Sequence, residues 1–256
     1  MMKKFASLIV CLILVSMLVN DASAKRGHHR HYGRHKVAVG GSPVIDCADL
    51  ENFNYPGTTI TAVMTVDAGE ECDSRGNCTE VPDHCKVTGN MNERTGEVDG
   101  KPYAIGFEMR LPSAEDYWNG RFFYQANGGV DGYIAPAYGN LLGGGPTSNG
   151  LLKGFAVISS DAGHPERNAK FGLDPQARLD YGYNAVAELT PMAKQLIKAY
   201  YGKRPDTSYI VGSSNGGRHA MVAASRYADL YDGFLAGAPG FNLPMAAVAQ
   251  LWGVQQ

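Results

Sequence analysis

Residues 58–66 (TTITAVMTV) are dominated by β-branched side chains and predict a strand. Residues 103–111 (YAIGFEMRL) alternate and predict a second. After a turn at Trp118, Asn119 and Gly120, residues 121–125 (RFFYQ) give a short third strand that runs directly into Ala126-Asn127-Gly128-Gly129. Residues 154–159 (GFAVIS) are almost continuously apolar, as a strand buried on both faces of a parallel sheet should be. From residue 180 to 201 the period changes. Val186, Leu189, Ala193, Leu196, Ile197 and Tyr200 recur at helical spacing, with Pro191 expected to kink or divide the helix. Residues 208–212 predict a strand, 217–227 a helix, and 233–237 a further strand ending at Ala238-Pro239-Gly240. The segment after residue 66 reads as a cysteine-bearing loop. Strands alternating with helices predict an α/β domain on a predominantly parallel sheet.

The N-terminus does not belong to that pattern. Residues 1–24 combine a basic start, an apolar run and the small residues Ala22-Ser23-Ala24, and read as an export signal cleaved after Ala24. No other stretch is long and apolar enough to span a bilayer. Residues 25–40 begin KRGHHRHYGRHK and have no apolar periodicity, so they read as a basic, histidine-rich, disordered spacer. A weak transition-metal tail is the competing reading, but no acidic or cysteine ligands frame its histidines. The α/β domain is expected over residues 41–256, in a secreted or periplasmic protein.

A net charge of −2 gives no reason to expect a nucleic-acid partner. After signal removal no membrane attachment is expected, and the oligomeric state is not legible. Export changes the meaning of the cysteines. Cys47, Cys72, Cys78 and Cys85 remain, and they allow three pairings in an oxidising compartment. The close spacing of Cys72 and Cys78 around Gly76 favours a local loop and leaves Cys47 with Cys85. His84 beside Cys85 raises zinc as a rival, but the spacings are not those of a zinc finger, so disulfides and no metal site are expected.

The chemistry concentrates at residues 209–220, YIVGSSNGGRHA. Only one register fits G-x-S-x-G, and it makes Ser214 the central residue, between an expected strand and an expected helix. Such a turn presents the serine Oγ above the sheet, and the N–H of Asn215 at the helix start is free to bind an oxyanion. Gly128 and Gly129, after an earlier strand, are positioned to supply the second donor. His219 lies five residues along the helix, roughly 7 Å of rise from the serine, and is a poor base. Asp229 and Asp232 are expected at the wrong sheet edge for a triad acid. Asp161 and His164 follow a strand and are expected at the pocket rim, with a Ser214–His164 pair as the less favoured arrangement.

Several segments, taken together, resemble the tannase and feruloyl esterase family of α/β-hydrolases: WNGRFFYQANGG (118–129), SSDAGH (159–164), FGLDPQARLDYGYNAV (171–186), GSSNGGR (212–218) and YDGFLAGAP (231–239). HCKVTG, around Cys85, resembles the family's N-terminal disulfide-bearing segment. The resemblance implies an α/β-hydrolase fold and an ester of an aromatic acid as substrate. It also implies a Ser214 nucleophile with an acyl-enzyme, and an oxyanion hole from Asn215 and the Gly128-Gly129 loop. Many members carry a cysteine where this chain has Ser213, bonded to one beside the catalytic histidine, so that tether is absent. In the family a lid domain, often with a structural calcium site, and the strands carrying the acid and base come later. The chain is therefore expected to be an N-terminal portion, lacking lid and last strands, with no cofactor of its own. The alternative is an inactive remnant or a module binding aromatic ligands.

Overall fold

The computed structural model describes residues 37–72, 76, 78–140 and 149–255. The expected export signal and residues 25–36 of the expected spacer lie outside the described residues. Residues 37–40 are part of the domain. The Val39 N–H donates to Asp206 at 2.9 Å, and a Cβ on Gly40 would lie only 1.7 Å from the Trp118 carbonyl oxygen. The domain boundary thus falls before residue 41.

Seven strands form one sheet in the order β1-β4-β5-β7-β6-β8-β9: β1 (Thr58–Val66), β4 (His84–Thr95), β5 (Pro102–Pro112), β7 (Ala156–Ser160), β6 (Arg121–Ala126), β8 (Thr207–Ser213) and β9 (Gly233–Gly237). The half that carries the strand-to-helix turn at Ser214, the elbow, is β7-β6-β8-β9 and is parallel throughout, whereas β1, β4, β5 and β7 pair antiparallel. A separate hairpin joins β2 (Gly69–Cys72) to β3 (Cys78–Val81).

The expected strands all form. The cysteine-bearing segment differs from expectation, since it holds the hairpin and the 12-residue strand β4. Gly89, Asn90 and Asn92 conceal β4 from a β-propensity reading, yet its Cys85, Val87 and Met91 are fully buried between β1 and β5. Both disulfides are present. Cys47–Cys85 ties the turn before β1 to β4, and Cys72–Cys78 closes the hairpin.

The helical reading of residues 180–201 also needs correcting. A short helix α1 (Pro175–Leu179) passes through a π-turn (Asp180–Asn184) into α2 (Ala185–Tyr201), which runs unbroken through Pro191. Proline removes one backbone bond and costs about 3 kcal/mol in a helix interior. Leu189, Met192, Ala193, Leu196 and Ile197, all fully buried on the sheet, hold both flanks in register and outweigh that loss. The end of α2 is fixed by Tyr201, which stacks on buried Trp118 at 4.1 Å and donates to the Pro112 carbonyl at 2.7 Å.

Helix α3 (Asn215–Arg226) follows β8 and fills the crossover to β9. Helix α4 (Leu243–Gln255) was not legible in the sequence because its apolar residues surround it without selecting a face. They are also exposed in the described chain, Trp252 to 66%.

Candidate active site

Ser214 sits between β8 and α3 with φ 58° and ψ −120°, a region that side chains other than glycine rarely enter. The turn is enforced by its surroundings. The Ser214 N–H donates to the Gly237 carbonyl at 2.9 Å, and the Ser214 carbonyl accepts from Gly240 N–H at 2.9 Å. A Cβ on Gly212 would lie 2.5 Å from the Gly216 carbonyl carbon, and one on Gly216 would lie 2.1 Å from the Ala126 carbonyl oxygen. The two glycines flanking Ser214 in the pattern are thus required by close backbone approach. Ser214 itself is exposed at the carboxyl edge of the parallel strands.

The second expected donor loop stands on that edge. β6 pairs with β8 with Ala126 opposite Gly212, so Asn127, Gly128 and Gly129 emerge alongside the elbow. Asn127 is buried and its side chain is fully committed. Its Nδ2 donates to Ser159 Oγ and the Ser160 carbonyl, and its Oδ1 accepts from Gln125 Nε2. Gln125 Oε1 in turn accepts from the Gly139 and Asn140 N–H groups. The anchored side chain fixes the start of the loop and leaves its main chain to meet a ligand. Gly129 is exposed with φ +71°. As the first residue of α3, Asn215 carries one of the N–H groups a helix leaves without an internal partner.

His164 is fully buried, stacked on Phe171 at 3.8 Å, with Nε2 2.7 Å from the Val130 carbonyl. Because a carbonyl only accepts, Nε2 carries the proton. Burial pushes the His164 pKa down and keeps the ring neutral, against the opposing pull of that carbonyl. Asp161 is buried beside it and accepts from the Gly106 and Gly163 N–H groups at 3.0 and 2.8 Å. Burial nevertheless raises its carboxyl to about 7, with Asp131 adding to the rise against those two donors. His219 is also buried, with Nε2 2.8 Å from Asp131 Oδ2. Asp232 accepts from the Ser208 N–H at the opposite edge of the sheet. Among the described residues no histidine is hydrogen-bonded to Ser214.

Sequence reasoning missed Asp131, Tyr181 and Arg218. The Asn215 side chain donates to Asp131 at 2.6 Å and accepts from Tyr181 Oη at 3.0 Å and Arg218 Nε at 2.7 Å. Asp131 stands in VDG, an ordinary turn sequence, and only its non-glycine positive φ of 54°, invisible in the sequence, singles it out. Beyond Arg218, an open, largely apolar groove of about 510 Å³ is lined by Tyr181, Met221, Phe241 and Leu243 and reaches Gly240, which bonds to Ser214. Among the described residues one cluster has metal-ligand geometry, Glu70 with Cys72 and Cys78, and its sulfurs are joined in a disulfide. Nothing in that set fits calcium, which takes six to eight oxygen ligands.

A family profile described as tannase and feruloyl esterase matches residues 85–256. The chain belongs to the tannase and feruloyl esterase family. Among its relatives, a mono(2-hydroxyethyl) terephthalate hydrolase of Piscinibacter sakaiensis is 41% identical over 221 residues, 82% of this chain and 36% of that one. A probable feruloyl esterase of Arthroderma benhamiae is 31% identical over 222 residues, 81% of this chain and 38% of that one. The crystal structure of feruloyl esterase B from Aspergillus oryzae superposes with a TM-score of 0.65 at 25% identity, over 77% of this chain and 37% of that one. The chain therefore spans little more than a third of the length of these relatives. The family's α/β-hydrolase fold agrees with the elbow, the parallel half-sheet and the crossover helices described above.

Two outcomes test this geometry. If the turn at Ser214 is strained, Ser214→Gly will be more stable than Ser214→Ala by about 1 kcal/mol in urea denaturation, because glycine enters this region freely. Equal stabilities would show a relaxed turn. For Asp161, the folded-state pKa of about 7 exceeds the ordinary value of 3.8, so the folded protein keeps a proton that the unfolded chain releases. Stability should then fall as pH rises from about 4 to 7 and level off above. Asp161→Asn, which retains an acceptor for both N–H groups, should flatten that fall and be the more stable protein at pH 8. Parallel pH profiles for the two proteins would contradict the assignment.

Proposed function

We propose that this protein is an exported serine ester hydrolase acting on esters of aromatic acids, with Ser214 as nucleophile. The observation that carries the reading is the strained, exposed Ser214 at a strand-to-helix turn, beside the glycine loop that follows β6. In the proposed reaction Ser214 Oγ attacks the ester carbonyl carbon and gives up its proton to a base. The carbonyl oxygen becomes an oxyanion, held by the N–H of Asn215 and by N–H groups of Gly128 and Gly129. The carbon–oxygen bond to the alcohol then breaks, the alcohol leaves with the proton, and an acyl-serine remains. Water hydrolyses that ester and returns the free acid and Ser214.

The described histidines are engaged elsewhere, His84 with Arg110 and the Pro82 carbonyl, His164 with Val130 and His219 with Asp131. The base is therefore not assigned to any of these three histidines, in keeping with the order of serine, acid and histidine in α/β-hydrolases. The names of two relatives describe esters of benzene-ring acids, terephthalic and ferulic. The apolar groove beside Arg218, of about 510 Å³, offers room for such a ring. Asp161 and His164, buried and paired with backbone, support the loops beside the site and stay out of the chemistry. Export is supported by the signal-like N-terminus and the two disulfides.

The test is hydrolysis of 4-nitrophenyl ferulate by the natural gene product and by its Ser214→Ala variant. Loss of the nucleophile should lower kcat by about 10⁴-fold or more. Equal rates would remove Ser214 from the chemistry, and binding of ferulate without turnover by either protein would favour a ligand-binding module.

A further inference from the structure

The two expected halves of the oxyanion hole lie on different elements, and their relative placement needs a cause. The loop after β6 carries Gly128 and Gly129, and α3 carries Asn215. One side chain joins them. Asp131, itself 2% exposed, directs Oδ2 at Asn215 Nδ2, 2.6 Å away, and at His219 Nε2, 2.8 Å away. Both groups are donors to a carboxylate oxygen, so His219 presents Nε2–H, and its buried Nδ1 has no partner among the described residues. The neighbours of Asp131 are pinned as well. The Val130 carbonyl accepts from His164, and the Gly132 N–H donates to the Asp161 carbonyl at 3.1 Å. A Cβ on Gly132 would lie 2.2 Å from the Glu166 carbonyl oxygen, so the loop has no room to slide on that side. Among the described residues, the hydrogen bonds that tie Val130, Asp131 and Gly132 to the elbow helix are those of Asp131. They do so through the side chain of the very residue whose main-chain N–H is to meet the oxyanion. Asp131 adopts φ 54° to reach it, a conformation that persists only where its contacts over-determine it.

From this geometry we infer that Asp131 is a positioning residue, which sets the spacing between the Gly128-Gly129 donors and the Asn215 donor, with His219 as its second anchor. The inference rests on the reading of Ser214 as nucleophile for its catalytic consequence, but not for the coupling itself. His219 acts in it as a hydrogen-bond donor and not as a base. That distinction is chemically testable, because the Nε2 amide of glutamine can donate from nearly the position of histidine Nε2 and does not titrate.

The experiment compares Asp131→Ala, His219→Leu and His219→Gln with wild type, in two measurements. Alanine is used at 131 because asparagine would keep an acceptor oxygen for both bonds. The first is amide hydrogen exchange of the loop peptide spanning residues 127–132, with β4 as an internal reference. Exchange should accelerate about tenfold or more in Asp131→Ala and His219→Leu, stay near wild type in His219→Gln, and leave β4 unchanged in all three. The second is hydrolysis of 4-nitrophenyl ferulate by the natural gene product. Asp131→Ala and His219→Leu should lose about 10- to 100-fold in kcat with KM within about threefold, since misplacing a donor costs less than the 10² to 10³ of deleting one. His219→Gln should recover most of kcat. Wild-type exchange in Asp131→Ala, or a His219→Gln variant as impaired as His219→Leu, would overturn the inference. So would accelerated exchange with unchanged kcat. If Asp131→Ala does not fold, the His219 pair carries the test alone. If wild type hydrolyses no faster than Ser214→Ala, the nucleophile reading fails, and the exchange data still decide whether Asp131 couples loop to helix.

Discussion

The backbone of Ser214 is held at φ 58° and ψ −120°, and most of the surrounding architecture is explained by what that requires. A serine in this conformation is stable only if neighbouring backbone closes on it from every side. Closure needs β6, β8 and β9 in register, so that Ala126 stands opposite Gly212 and Gly237 opposite Ser213. It also needs glycine at 212 and 216, where any side chain would meet backbone. The bond that the Ser214 N–H donates to Gly237 and the one its carbonyl accepts from Gly240 then couple the elbow to β9 and to the turn beyond it. The conformation of one residue is thus held by contacts with three strands, and it leaves Ser214 exposed at the sheet edge.

A second layer of organisation is polar. Gln125 holds Asn127, and Asp131 holds Asn215 and His219. Below them, Arg94 ties Asp174 and Asp180 at 3.1 and 3.2 Å, and Asp180 packs beneath Gly163 in the loop of Asp161 and His164. Most of these side chains are buried, so each partner is costly to remove. The aromatic rings of Phe171 and Tyr181 fill the space around His164 and His219 and help keep water from their nitrogens. The result is a buried, hydrogen-bonded floor to a candidate site whose open side is apolar.

The sequence made the site strands and Ser214 legible because their signals are local. A β-branched or apolar run identifies β1, β6, β7 and β8, and the small residues around Ser214 specify the turn. What was not legible depends on contacts remote in sequence. β4 is a strand because β1 and β5 bury it, despite Gly89, Asn90 and Asn92. α2 survives Pro191 because the sheet holds both flanks. Residues 37–40 are ordered because Gly40 meets Trp118, a contact across 78 positions that no local pattern records. Asp131 and His219 meet across 88 positions, and their pairing follows from the β6–β8 register and not from either residue's neighbours. Helix α4 has no amphipathic face to read, and the described chain buries none of it.

The central claim is that Ser214 is the reactive nucleophile and that its neighbour Ser213, though equally hydroxylated, is not. The most direct measurement is reaction of the natural gene product with a fluorophosphonate, followed by peptide mapping by mass spectrometry. The account predicts a single phosphonyl adduct on Ser214, absent from Ser214→Ala and retained in Ser213→Ala. An adduct on Ser213, on another residue, or on none would contradict it.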